Sequence, residues 1–178
     1  MSFLIQSIDD WASQLKKAAE KPHKNEAELR HALYLVLHGY CTEYVGISDV
    51  DIRHEGTSSA GRFDSLFGTA LIEYKSPHEL DTRSQRSKHA KQALNYLDDE
   101  DIDASVVLIT DGIHWGILRD PDSPRDNSVA SGALLEAIPA ADKFQWRENA
   151  QDTCKRVLEL MDTVRFDKVA PHSLSVRF

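Results

Sequence analysis

Two acidic residues and a lysine lie in the otherwise largely apolar stretch GRFDSLFGTALIEYKS, residues 61–76: Asp64, Glu73 and Lys75. Charged side chains are costly to bury unless they are paired or bind a metal ion. If Gly68-Thr69 forms a two-residue turn, Asp64 pairs with Glu73 across a hairpin and Lys75 shares their face. Two facing carboxylates repel unless a cation separates them, and Mg²⁺ is typically held by one or two carboxylates. The spacing therefore predicts a metal site.

The simpler alternative is a surface hairpin with a Glu–Lys pair. A turn longer than two residues would also shift the register and separate the acids. The neighbours favour a buried setting, in which unpaired acids need a chemical reason. These apolar neighbours are Leu66, Phe67, Leu71 and Ile72.

A third acid, Glu26, is expected at the start of a helix that runs to about His38. Asn25 is its predicted N-cap, with Glu28 as capping-box partner, and Gly39 is its predicted C′ residue. At 100° per residue, Glu26 falls at the edge of the apolar stripe formed by Leu29, Leu33 and Leu37. Glu26 could face the site, or it could be a first-turn charge that favours the helix dipole.

The segment 82–97 is predicted to be an amphipathic helix without a single acidic residue. Gln92 and Tyr96 lie one turn apart on one face, where they could donate hydrogen bonds to phosphate or to a metal ligand, or form a half-buried polar pair. The start of the helix is the densest cationic part of the chain, which is either a solvated face or a phosphate contact. Its candidate DNA-binding residues are Arg83, Arg86, Lys88 and Lys91, with His89 between them.

The remaining pattern predicts an α/β fold with a central mixed sheet flanked by helices. Two hairpins of strands alternate with helices, and Asp111-Gly112 is the predicted turn of the second hairpin. The expected helices cover 3–20, 25–38, 82–97 and 147–163; the expected strands cover 43–56, 62–67, 70–75, 104–110 and 113–119; and 120–128 is an expected loop.

The charge distribution and the motifs that are absent limit the classes of function that fit this sequence. The net charge is −8, but residues 1–97 carry 12 Lys+Arg against 13 Asp+Glu, whereas residues 98–178 carry 9 against 16. The N-terminal half is therefore the part that could approach a polyanion. No phosphate-binding loop, serine-hydrolase elbow or zinc-protease helix occurs. Without a secretion signal or a membrane-length apolar run, and with Cys41 and Cys154 far apart, we expect a cytoplasmic protein with reduced thiols.

Taken together, these motifs resemble the PD-(D/E)XK nuclease superfamily, which has the restriction-endonuclease-like fold. The resemblance covers about residues 25–120 and is closest to N-terminal nuclease domains of type I and methyltransferase-fused restriction enzymes. It rests on Glu26, on GRFD ending at Asp64, on IEYK, on QALNY, and on LITDGIHWGIL at 108–118. Phe63 precedes the aspartate where the family pattern often has proline.

The resemblance implies a Mg²⁺-dependent DNA endonuclease of a restriction-modification or related defence system, with Mn²⁺ as a substitute. Asp64 and Glu73 would be metal ligands, with the Tyr74 carbonyl as a third, and Glu26 would hold the metal through water or serve a second ion. Lys75 would orient and help deprotonate the attacking water, while Gln92 and Tyr96 would steady the site. DNA would be the substrate, helicase or methyltransferase domains or subunits would be partners, and a homodimer is left open.

Two other functions stay open at this point. One is a catalytically silent nucleic-acid-binding or regulatory module of the same fold, and the other is a protein-interaction domain, suggested by the acidic C-terminal half. The expected organisation is an N-terminal helical extension at 1–24, a nuclease core at 25–120, and a loop with a C-terminal helix packing on the core at 121–178. This organisation also suits an N-terminal domain of a longer protein.

Overall fold

The predicted α/β class is confirmed by a six-stranded mixed sheet with helices on its faces. The computed structural model describes residues 7–47, 51–58, 61–96, 102, 104–119 and 140–167. The strands are β1 (Ile52–Ser58), β2 (Gly61–Phe67), β3 (Ala70–Tyr74), β4 (Val106–Thr110), β5 (His114–Arg119) and β6 (Gln145–Glu148). The helices are α1 (Ile8–Glu20), α2 (Glu26–Gly39), α3 (Arg83–Leu94), α4 (Ala140–Lys143) and α5 (Gln151–Asp167).

The strands lie in the sheet in their chain order, β1 to β6. Strands β3 and β4 are parallel, and the other neighbouring pairs are antiparallel. A parallel pair needs a crossover connection, and the segment between these two strands contains α3. The two predicted hairpins, β2–β3 and β4–β5, are therefore joined side by side by one helical crossover.

The central strands are buried on both faces, so alternate residues enter two separate apolar clusters. Ile72, Tyr74 and Leu108 pack on one face with side chains of α1, α2 and α5. Leu71 and Val107 pack on the other face with side chains of α3. This double burial explains why β3 and β4 have no exposed residue.

The α-helix α2 ends at Gly39, close to the predicted end, but the predicted role of Gly39 as the C′ residue is wrong. Gly39 has helical dihedrals, and the chain continues through a π-helical turn, Tyr40–Val45, to Gly46, whose φ of 77° is left-handed. A Cβ on Gly39 would lie 3.0 Å from the Trp11 ring, so this glycine permits a close approach rather than a turn. The predicted strand 43–56 consequently begins only at Ile52.

The N-terminus of α2 is capped as predicted, but without the capping box. Asn25 accepts the amide of Glu28 at 3.0 Å. The Glu28 carboxylate accepts the amide of Lys24 at 2.9 Å, one residue before the cap, instead of the amide of Asn25.

The C-terminal region contributes a strand as well as a helix. Edge strand β6 pairs with β5, and the helix expected over 147–163 begins at Gln151. Helix α5 lies against α1, where Lys155 forms an ion pair with Asp9 at 2.8 Å and Ser13 contacts Gln151. The predicted loop 120–128, the start of the first predicted helix at 3–6, and Leu97 lie outside the described residues.

No helix in the described part of the chain combines the length and the apolar character that crossing a bilayer requires.

Candidate active site

The turn at Gly68-Thr69 forms as predicted, but the strands of this hairpin part at Asp64. Phe67 pairs with Ala70, and the ladder continues to Ser65 opposite Ile72. The expected next pair, Asp64 with Glu73, is absent from the ladder. Instead, one Asp64 oxygen, Oδ2, accepts the backbone amide of Tyr74 at 2.8 Å. The Asp64 side chain thus provides the acceptor for a β3 amide that a backbone carbonyl of the neighbouring strand would otherwise provide.

The guanidinium of Arg30, in α2, contacts the other carboxylate oxygen of Asp64. Arg30 Nη1 lies 3.5 Å from Asp64 Oδ1, and Arg30 Nη2 lies 2.7 Å from Glu55 Oε1. Glu55 is the β1 residue opposite Asp64, and its φ of 50° is left-handed, which interrupts the β1–β2 ladder at the same level. Arg30 therefore bridges two acids where both ladders of β2 are broken.

Glu73 is the most deeply buried acid of the predicted set, with 4% of its surface exposed. Lys75 Nζ lies 3.0 Å from Glu73 Oε2, which confirms that these two residues share a face. The other oxygen, Oε1, is buried and has no hydrogen-bond partner among the described residues. The pKa of Glu73 is raised to about 7, mainly by burial; the charges of Asp64 and Glu26 add to this rise, and Lys75 opposes it.

Glu26, at the first position of α2, belongs to the same electrostatic environment. Burial raises its pKa, and so does the negative charge of Asp64, whereas Lys75 and Arg30 lower it. The structure therefore brings the three predicted acids and the lysine into one region at the end of β3.

Tyr96 and Gln92 border this region from the α3 side. The buried Tyr96 hydroxyl donates to the Arg62 carbonyl in β2, so its proton is not available to Glu73. Burial raises the pKa of Tyr96 to about 12, with a further contribution from the charge of Glu73. The exposed Gln92 side chain lies near the Tyr96 hydroxyl and opposes this rise in the pKa of Tyr96.

Sequence reasoning missed a pair near the lysine between the buried His89 and the half-buried Glu79. His89 Nε2 lies 2.9 Å from Glu79 Oε1, while His89 Nδ1 is buried without a partner in the described residues. Burial and the charge of Lys75 lower the pKa of His89. Helical spacing offered a signal, because positions 89, 92 and 96 fall on one side of α3.

The four predicted DNA-binding residues have different environments. Arg86 Nε donates to the Leu80 carbonyl at 2.7 Å, and its guanidinium lies 5.4 Å from the ring centre of Trp146. Arg83 is exposed and forms a 3.0 Å ion pair with Asp142 of α4. Lys88 and Lys91 are exposed and form no ion pair within the described residues, so their ammonium groups are available to an anionic ligand.

The donor set fits Mg²⁺ in composition, since it offers carboxylate oxygens and one of them is buried without a partner. The three acids are not gathered tightly, however. Within the described residues, the only three acidic or histidine side chains with ligand atoms within 4.8 Å of one another are Asp81, Asp111 and His114. Mg²⁺ keeps several waters, so Glu73 and Asp64 need not touch Glu26.

Comparison with known proteins finds no matching family model, no matching curated protein and no matching solved structure. The functional argument therefore rests on the chemistry of the site.

Proposed function

We propose that this protein is a Mg²⁺-dependent endonuclease that hydrolyses phosphodiester bonds in DNA, and that its sheet is a restriction-endonuclease-like core. The observation that carries the proposal is the Glu73 carboxylate, which is buried, is paired with Lys75 on one oxygen, and has no partner on the other oxygen within the part of the chain that the structure describes. A buried acid with a strongly raised pKa is costly to maintain and is typical of functional sites.

Glu73 Oε1 is the first donor we assign to Mg²⁺. Asp64 and the Tyr74 carbonyl would complete the protein ligands, and Glu26 would act through a bound water. Once bound, Mg²⁺ would polarise the phosphoryl group and lower the pKa of a water molecule. Arg30 keeps Asp64 in place, because its guanidinium anchors the carboxylate that also accepts the Tyr74 amide.

The remaining roles follow from position. Lys75 orients the attacking water and stabilises negative charge on the phosphate as it develops, because its ammonium lies beside the ligand carboxylate. Tyr96 would steady the start of β2 through its hydrogen bond to the Arg62 carbonyl, and Gln92 would help to hold Tyr96 in place. Lys88 and Lys91 would contact phosphates along the substrate.

We place this activity in a cytoplasmic restriction-modification or related DNA-defence system. DNA is the proposed partner, together with helicase or methyltransferase domains or subunits, and a homodimer would allow both strands to be cut. Mn²⁺ would replace Mg²⁺.

The proposal is tested by incubating the purified protein with plasmid and linear DNA at increasing Mg²⁺ or Mn²⁺ concentrations. We expect metal-dependent cleavage by the wild type, and rates lower by at least about a hundredfold for Lys75→Ala and Glu73→Ala. Lys17→Ala, which removes an exposed lysine of α1, is the matched control and should cleave normally.

Wild-type cleavage rates in Lys75→Ala would remove the proposed mechanism. DNA binding without cleavage under any metal condition would indicate the catalytically silent module instead. Absence of both DNA binding and cleavage would favour the protein-interaction domain.

A further inference from the structure

A second group of metal-ligating side chains lies at the turn between β4 and β5. Asp111 follows β4 and is buried. Its Oδ1 accepts the amides of Ile113 at 3.0 Å and His114 at 2.7 Å, and its Oδ2 accepts the amide of Leu80 at 3.0 Å. A carboxylate offers about four acceptor positions, so three backbone donors fix Asp111 and leave one position for a ligand.

The spacing around His114 suits metal ligands, and it includes one long hydrogen bond between His114 Nδ1 and Asp111 Oδ2. His114 Nδ1 lies 3.5 Å from Asp111 Oδ2 and 3.8 Å from Asp81 Oδ1, and the three ligand atoms lie within 4.8 Å of one another. Typical N–H···O hydrogen bonds are shorter, at about 2.7–3.2 Å. Ligand atoms about 2.1 Å from a tetrahedral ion are about 3.4 Å apart, which is close to the two shorter separations.

A second imidazole stands beside this group. His78 Nδ1 lies 3.1 Å from Asp81 Oδ2, and the His78 side chain is 72% exposed, so it can rotate towards the other ligands without leaving a packed position. His78 and Asp111 also line a cleft of about 510 Å³ that adjoins this group, although Asp81 and His114 do not line it.

We infer that Asp81, Asp111 and His114 bind a divalent transition-metal ion, with Zn²⁺ as the best fit and His78 or water as the fourth ligand. The inference is independent of the proposed nuclease activity. Two carboxylates flank a single imidazole here, and a cation between them removes their repulsion. The nitrogen ligand and the tetrahedral spacing favour Zn²⁺ over Mg²⁺, which prefers an octahedral set of oxygens.

The test is calorimetric titration of the full chain with ZnCl₂ and, separately, with MgCl₂. We expect the wild type to bind a single Zn²⁺ at this site, and binding to weaken at least about tenfold in His114→Gln and in Asp81→Asn. Asp81 is partly exposed, so Asp81→Asn should fold normally, as circular dichroism will verify. His31→Gln alters an exposed histidine of α2 and should bind Zn²⁺ like the wild type.

Glu73→Gln separates this site from the proposed Mg²⁺ site, because it should leave Zn²⁺ binding unchanged. Co²⁺ should give the visible absorption of a tetrahedral complex in the wild type and lose it in His114→Gln. Failure of the wild type to bind Zn²⁺, equal Zn²⁺ affinity in the wild type and both ligand variants, or loss of Zn²⁺ binding in Glu73→Gln would overturn the inference.

Discussion

The buried carboxylate of Glu73 should make the free energy of unfolding depend on pH, and Glu73→Gln should remove that dependence. The pKa of Glu73 is raised from 4.5 to about 7, so the folded protein holds this proton more tightly than the unfolded chain. The resulting stability is fully present below about pH 4.5 and is lost as the pH rises through about 7. At about 1.4 kcal/mol for each pKa unit, the loss is about 3 kcal/mol.

The measurement is urea unfolding of wild type and Glu73→Gln, followed by tryptophan fluorescence, for which the fully buried Trp115 is a suitable probe. Near pH 4.5 the two proteins should differ by less than about 1 kcal/mol, and near pH 8 the variant should be more stable by about 3 kcal/mol. Other titrating groups are shared by both proteins, so their effects largely cancel in the difference.

Magnesium should nearly abolish this difference in stability near pH 8. At a Mg²⁺ concentration about 100 times the dissociation constant, the wild type should gain about 2.7 kcal/mol, and Glu73→Gln should gain nothing. Parallel stability curves for the two proteins between these pH values would refute the reasoning, because a difference independent of pH means that Glu73 titrates normally in the folded state.

Further predictions concern DNA contact and packing. Replacing Lys88 and Lys91 by alanine should weaken DNA binding and reduce the slope of log affinity against log salt by about 1.8, as measured by fluorescence anisotropy. Tyr96→Phe removes the hydrogen bond to a β2 carbonyl and should lower the free energy of unfolding by about 1 kcal/mol. Gly112→Ala should cost about 1–3 kcal/mol, because its φ is +84° and the new Cβ would lie 2.9 Å from a leucine methyl of α2.

Two of these changes have a matched control. Lys17→Ala removes an equally exposed lysine of α1 and should leave the salt slope unchanged. Gly46→Ala introduces a side chain at a φ of +77° where no atom lies within 4 Å, so it measures the backbone cost alone. If Gly46→Ala and Gly112→Ala cost the same, the close contact at Gly112 contributes nothing. An unchanged urea midpoint in Tyr96→Phe would contradict a net contribution from the Arg62 hydrogen bond.

Local signals were sufficient to predict the hairpin and the contact between Lys75 and Glu73. The Gly68-Thr69 turn and the alternation along both strands predicted the observed register and placed Lys75 beside Glu73. The parting of the strands at Asp64 could not be predicted in this way, because it depends on Arg30, which approaches from a distant helix.

Other features depended on contacts between parts far apart in the sequence. Gly39 looks like a helix terminator, yet it is small because the Trp11 ring of α1 packs against it. Strand β6 is only four residues long, and its identity comes from pairing with β5 rather than from its own pattern. Glu79 could not be singled out from the sequence, because it lies outside the helices and strands. Its contact with His89 exists only in the folded structure.

The packing of α1 against α5, the first and last helices that the structure describes, has a consequence for biosynthesis. Ser13 meets Gln151 across 138 residues, and the cluster around Trp11 and Leu15 also needs Val157 and Leu158. A ribosome delivers the chain from its N-terminus, so α1 and α2 leave the exit tunnel long before their cover exists. The nascent chain must keep these apolar surfaces from aggregating, and α1, against which α2 packs, completes its own packing only when α5 has been made.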